Sequence, residues 1–317
     1  MHWRYRVRRQ LVFLRHLFWE AYRERILLSL VSTIVFGSLI SIANKVFYGS
    51  HFWDKFPHEA DISVWFCEYT DMERLVRQPI NTFTNFIYLI MGFFFLSKGL
   101  EDIKKKRQYN LITANHFYSF VLAIISFYTF SCSTLFHASL VSFASNMDFS
   151  AVYSITLFPL MYFTHRVTLA LRGKPSNVKH WNERLMMIII FGTAYVLLTF
   201  VISLHYVHPI VAAIIIAVLT FGFYLEKRDP GQTNKDYLIG TSVTIVLAVI
   251  FFEFDIKKIW CDPNGVINPH SLWHLFNGAS IFFFYLYIRS ERYNHEMDAL
   301  RTTIRTHVHA KLERKQK

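Results

Sequence analysis

The feature that most restricts what this chain can fold into is a series of eight nearly uninterrupted apolar stretches. They fall at about residues 26–47, 80–100, 111–137, 148–164, 185–204, 209–225, 237–254 and 270–288. Each is close to the roughly 20 residues a helix needs to cross a bilayer core of about 30 Å. No alternating ten-residue pattern suggests a β-barrel. Only helices then satisfy every backbone polar group inside lipid. Composition agrees: of 317 residues, 53% are hydrophobic and only 18% charged, where a soluble domain carries about 25%. The expected fold class is all-α, a polytopic membrane protein.

The net charge of +12 is explained by its distribution, without a nucleic-acid partner. Residues 1–25 hold seven arginines against two glutamates, and basic residues crowd 101–110, 165–184 and the tail 289–317. The loop 48–79 has six acidic and three basic residues, and 138–147 and 205–208 carry almost no charge. With an N-terminus in the cytoplasm and eight spans, each basic segment falls inside, as the positive-inside rule requires, and the C-terminus is cytoplasmic too. The first span is too long for a signal peptide and no small-residue cleavage pattern follows it. The basic segment 1–25, interleaved with Trp3, Phe13, Phe18 and Trp19, reads either as an interfacial amphipathic helix or as a solvated tail that sets orientation.

That topology brings the ends of several spans to one membrane face. His270 and His274 open the last span four residues apart, so they share a helical face and can share one metal ion. His137 ends the third span, with Ser133 one turn before it, and Asp148 heads the fourth. All five are expected near the extracytoplasmic face. Three imidazoles and an open position describe a catalytic zinc site, at which a bound water has its pKa lowered to about 7. Asp148 is a candidate to orient or deprotonate that water, or a helix N-cap. Ser133 is a candidate donor to a developing oxyanion, or a serine bonded to its own helix. Glu253 and Asp255, near the same end of the seventh span, are functional candidates or solvated interface residues. The cluster Asn81-Thr82-Phe83-Thr84-Asn85 reads as helix-capping and cross-helix hydrogen bonding.

These motifs together resemble the alkaline ceramidases, within a superfamily of seven-helix hydrolases that includes the adiponectin and progestin receptors. The matching pieces are Asn81-Thr82-Phe83-Thr84-Asn85, Ser133-x-x-x-His137, Asp148 and His270-x-x-Trp273-His274. The resemblance covers roughly residues 65–288. It implies a seven-helix core at 80–288, preceded by an additional helix at 26–47 and the loop 48–79. It implies that His137, His270 and His274 bind Zn2+, that Asp148 assists the water and that Ser133 supports the oxyanion. It implies hydrolysis of a ceramide-like membrane lipid to a sphingoid base and a fatty acid. It also implies a disulfide between Cys67 and Cys261. The segment that holds calcium in that family is degraded: in Trp65-Phe66-Cys67-Glu68-Tyr69-Thr70, with Gln78 before Asn81, only Glu68 remains of the carboxylates. Calcium, which takes six or more oxygens, is expected to be absent or weak. A non-catalytic lipid-sensing receptor on the same fold is the alternative. A transporter ranks below both, because no inverted repeat or matched pair of broken spans is visible.

Overall fold

The computed structural model describes residues 23–58, 66–202, 206–229 and 232–291. The segment 1–22 and the tail from 292 on, for which an amphipathic helix and a basic cytoplasmic tail were expected, lie outside the described residues.

The described residues are helical throughout, with no strand beyond one isolated bridge between His58 and Val141. In order they are α1 (Arg23–Val46), α2 (Pro79–Thr84), α3 (Phe86–Lys104), α4 (Leu111–Ala114), α5 (Phe117–Ser139), α6 (Ser142–Leu171), α7 (Trp181–Phe200), α8 (Val207–Arg228), α9 (Lys235–Ile256) and α10 (Pro269–Ser290). Helices α2 and α3 form one span, interrupted at Asn85. Six spans are long and apolar enough to cross a membrane: α1, α2 with α3, α5, α7, α8 and α9. Helices α6 and α10, of 30 and 22 residues, are also long enough to cross at about 1.5 Å per residue. They are the more polar because they carry much of the site. This is a multi-pass membrane protein.

Packing follows the chain around a ring. Helix α1 leans on α3 from outside, α3 packs on α5, α5 on α6, and α6 on both α7 and α8, while α9 and α10 pack along their whole length and α10 returns to α2 and α3. Helices α8 and α9 touch only sparsely. The core between α3, α5, α6 and α10 is aromatic, with Phe95, Tyr118, Phe158, Tyr162, Phe284 and Tyr285 fully buried. Where α10 meets α3, Gly278 lets the helices close: a Cβ there would stand 2.5 Å from Ile87 Cγ1. At the end of the bundle where α3 finishes, Arg289 of α10 forks onto Asp102 of α3 at 2.5 and 2.9 Å. Both side chains are buried or nearly so, and a bidentate pair of this kind is geometrically specific.

Several boundaries differ from those read in the sequence. Helix α6 begins at Ser142, so Asp148 lies inside it and the N-cap position is Val141. Helix α5 begins at Phe117, after the separate turn α4, which Asn110 and Thr113 close in a capping box.

Candidate metal centre

Two local devices set the histidines. Asn268 caps α10: its Oδ1 accepts from the Ser271 N–H at 2.8 Å while Ser271 Oγ accepts from the Asn268 N–H at 3.2 Å. Pro269 occupies the first helical position, where its missing N–H costs nothing. His270 therefore sits in the first turn and His274 one turn on. At the C-terminus of α5, Leu140 takes φ +54°, the left-handed conformation that usually ends a helix with glycine. The freed carbonyls are then claimed by buried Arg77 and its neighbour. The N–H groups of Arg77 and Gln78 each donate at 3.1 Å, to Ala138 and His137, and Arg77 Nη1 donates to the Ser139 carbonyl at 2.9 Å. His137 is thus fixed from both sides of its backbone.

The three imidazoles meet. His137, His270 and His274 are buried, and one ring nitrogen from each lies within 4.8 Å of the others. Two rings are hydrogen-bonded through Nδ1, and the third turns its Nδ1 toward a buried carboxylate without the alignment of a hydrogen bond. Gln78 Oε1 stands 2.9 Å from His137 Nδ1 and can only accept there. Thr84 Oγ1 stands 2.9 Å from His274 Nδ1. Since that hydroxyl can donate onto the Ile80 carbonyl at 3.0 Å, it accepts from the histidine. Asp255 Oδ2 stands 3.2 Å from His270 Nδ1. With a proton on each Nδ1, the Nε2 lone pairs are free, and buried His137 Nε2 has no protein partner. Three neutral imidazole donors converging with a free pair each fit a zinc ion, and partners on the far nitrogen are what hold such ligands in place.

Asp148 and Ser133 join the centre. Both line one cavity with His270 and His274, and the Ser133 hydroxyl donates to the Asp148 carboxylate. No hydrogen bond ties the Ser133 hydroxyl back to its own helix, and it opens onto the same cavity as Asp148. Asp148, seven residues into α6, is not an N-cap. Of the two acidic candidates on α9, Glu253 is half exposed and paired with Lys257 at 2.9 Å. Asp255 is fully buried, accepts from the Cys67 N–H at 2.8 Å, and faces His270. The sequence reading left it open whether Asp255 was merely solvated; it is not. In the Asn81–Asn85 cluster no side chain caps a helix, while Thr84 does bond across to α10.

The cap on α2 comes from Glu68, whose two oxygens accept from the N–H groups of Ile80 and Asn81 at 2.6 and 2.7 Å. Burial pushes its carboxyl up to about 7, against those two bonds, with the nearby Asp255 charge adding to the rise. Asp71 is engaged by Arg74 at 2.7 Å and by the Glu73 N–H. One carboxylate with both oxygens committed does not make a calcium cage. The Cys67–Cys261 disulfide is formed, joining the segment before α2 to the loop before α10. Cys132 is free and buried.

From this centre a cavity of 790 Å3 runs inward between α6, α8, α9 and α10. Its walls are largely apolar, among them Val152, Ile155, Val211, Ile215 and Phe252. Phe66 closes the opposite side, its ring 4.5 Å from that of His270 and 5.0 Å from that of His137.

Residues 79–292, well over half the chain, match the Per1-like family. The chain belongs to the Per1-like family. The matched stretch takes in every ligand histidine, Ser133, Asp148 and the whole bundle from α2 to α10, and leaves α1 outside. No curated protein and no solved structure matches this Per1-like chain.

Proposed function

We propose that this Per1-like protein is a zinc-dependent intramembrane hydrolase that cleaves an acyl bond of a membrane lipid. The N-acyl amide of a ceramide-like lipid is the substrate implied by the ceramidase resemblance. The ester of an acyl glycerolipid presents the same acyl carbon and belongs in the same assay. The observation that carries the reading is the meeting of three imidazole nitrogens at a long, largely apolar cavity that Asp148 also lines. Such a cavity suits an acyl chain, and the sparse α8–α9 contact suits entry from the bilayer. In the N-in, C-in orientation the centre faces the extracytoplasmic side, with the lipid's headgroup near the interface.

Zinc in this site would polarise the acyl carbonyl and lower the proton affinity of a water. The chain's own residues do the rest. Asp148, held by Ser133, takes the proton as the water oxygen adds to the acyl carbon and the carbonyl pair moves onto its oxygen. Collapse then breaks the C–N or C–O bond, and Asp148 returns the proton to the departing atom. The products are a fatty acid and an amine or alcohol lipid.

The test is metal analysis of the purified protein, with mass spectrometry of ceramide and acyl glycerolipid panels before and after incubation. One zinc per chain and released fatty acid are expected, and His274→Ala should lose both. Zinc without any turnover, and lipid affinity unchanged in Asp148→Asn, would favour the receptor reading instead.

A further inference from the structure

Two polar side chains in the cavity wall have no task in the mechanism above. Tyr88 and Asn277 are each 3% exposed, and both line the cavity. The Tyr88 hydroxyl and the Asn277 amide are polar groups that α3 and α10 contribute to this wall beside the histidines. Both are thus donors facing an apolar space, a costly arrangement unless something polar in that space receives them.

Their position says what it is. Gly278 and Ile87 mark the closest approach of α10 and α3, and Tyr88 and Asn277 are their immediate neighbours. One turn nearer the metal centre, Thr84 and His274 already bond across the same two helices. Both helices run inward from the metal end, and helical side chains tilt back toward the N-terminus. Tyr88 and Asn277 therefore lean toward the histidines: the Tyr88 and His274 ring centres are 6.4 Å apart, and Tyr88 is within electrostatic reach of Asp148. Ser133, the residue expected to meet an oxyanion, lines the same cavity beside Asp148.

We propose that Tyr88 and Asn277 form the donor pair for the acyl carbonyl oxygen of the lipid, receiving it as it gains charge. They would thus be catalytic residues, in the role for which the sequence offered Ser133. The inference rests on the hydrolase reading above. It deepens that reading by requiring a lipid whose hydrogen-bond acceptor lies about one helical turn inside the metal centre.

The experiment compares the wild-type chain with Tyr88→Phe and Asn277→Leu, both close to isosteric. Zinc content and thermal midpoint are measured with kcat/KM on the best lipid, and with the affinity for an uncleavable phosphinate lipid that carries the tetrahedral oxygens. Removing one such donor costs roughly 100- to 1000-fold in turnover. Each variant is expected to keep one zinc and the wild-type midpoint, while kcat/KM and phosphinate affinity fall together. Wild-type rates and phosphinate affinity in both variants would overturn the inference and leave the hydrolase reading standing. Absence of turnover by the wild-type chain itself would overturn both. If Asn277→Leu fails to fold, Tyr88→Phe alone decides.

Discussion

Asp255 Oδ2 lies 3.2 Å from His270 Nδ1, a buried charge contact in which neither atom makes a hydrogen bond. The other carboxylate oxygen of Asp255 accepts from the Cys67 N–H. A single carboxylate therefore connects a ligand imidazole to the disulfide. Asp255→Asn should weaken zinc binding by about 10- to 100-fold, the usual effect of removing such a partner. Competition against a chelator of known affinity at fixed pH measures it, and unchanged affinity would count against the link.

Thr84 and Gln78 hold the other two rings. Thr84→Val, which keeps shape and removes the acceptor, should also weaken zinc by about tenfold or more. Gln78→Leu should do the same through His137. Because the three ligands act on one ion, combined losses should depart from additivity.

Reducing the disulfide frees Cys67 from Cys261 and, with it, the N–H that anchors Asp255. Loss of a native disulfide costs about 2–5 kcal/mol in small domains. Cys67→Ser with Cys261→Ser, or treatment with reductant, should lower the thermal midpoint and speed zinc loss to chelator. Faster zinc loss with an unchanged midpoint would separate the two effects.

Glu68 introduces a pH dependence whose sign is fixed by the direction of its shift. Its folded carboxyl titrates near 7 because burial disfavours the charge, whereas an unfolded glutamate titrates near 4.3. Between those values the folded chain binds more protons. The contribution of Glu68 to stability is full below the unfolded value and is lost as pH rises through about 7, by about 4 kcal/mol at most. Glu68→Gln should flatten the dependence of thermal midpoint on pH between 5 and 7.5. A variant with the wild-type slope would remove Glu68 as its source.

Gly278→Ala places a methyl 2.5 Å from Ile87 Cγ1. Overpacking of this kind costs about 1–3 kcal/mol, read as a lower midpoint. Ile87→Ala in the same chain should restore part of the loss; no recovery would locate the strain elsewhere.

The spans were legible because a bilayer demands long apolar runs, and the ligands because i,i+4 histidines recur at one end of the topology. Boundaries failed where the site imposes polarity on a helix. Ser142, Ser145 and Asn146 read as a loop, yet they form the first turns of α6, so Asp148 seemed to be a cap. Asp255 was noticed without its partner, since nothing in one sequence pairs α9 with α10. Gln78 reads in the sequence as a degraded calcium position; Thr84 reads as part of a capping and cross-helix hydrogen-bonding cluster, and the fold supplies the imidazole it bonds across to. Tyr88 gave no signal at all, because a tyrosine within an apolar run looks like packing.

The ligands come from α5 and α10, and the carboxylate and disulfide that steady His270 come from segments on either side of the bundle. During synthesis the chain carries His137 into the membrane long before its partners exist. A ribosome must finish the last span before the three imidazoles can meet, so an ion held by all three would be captured only after α10 is made.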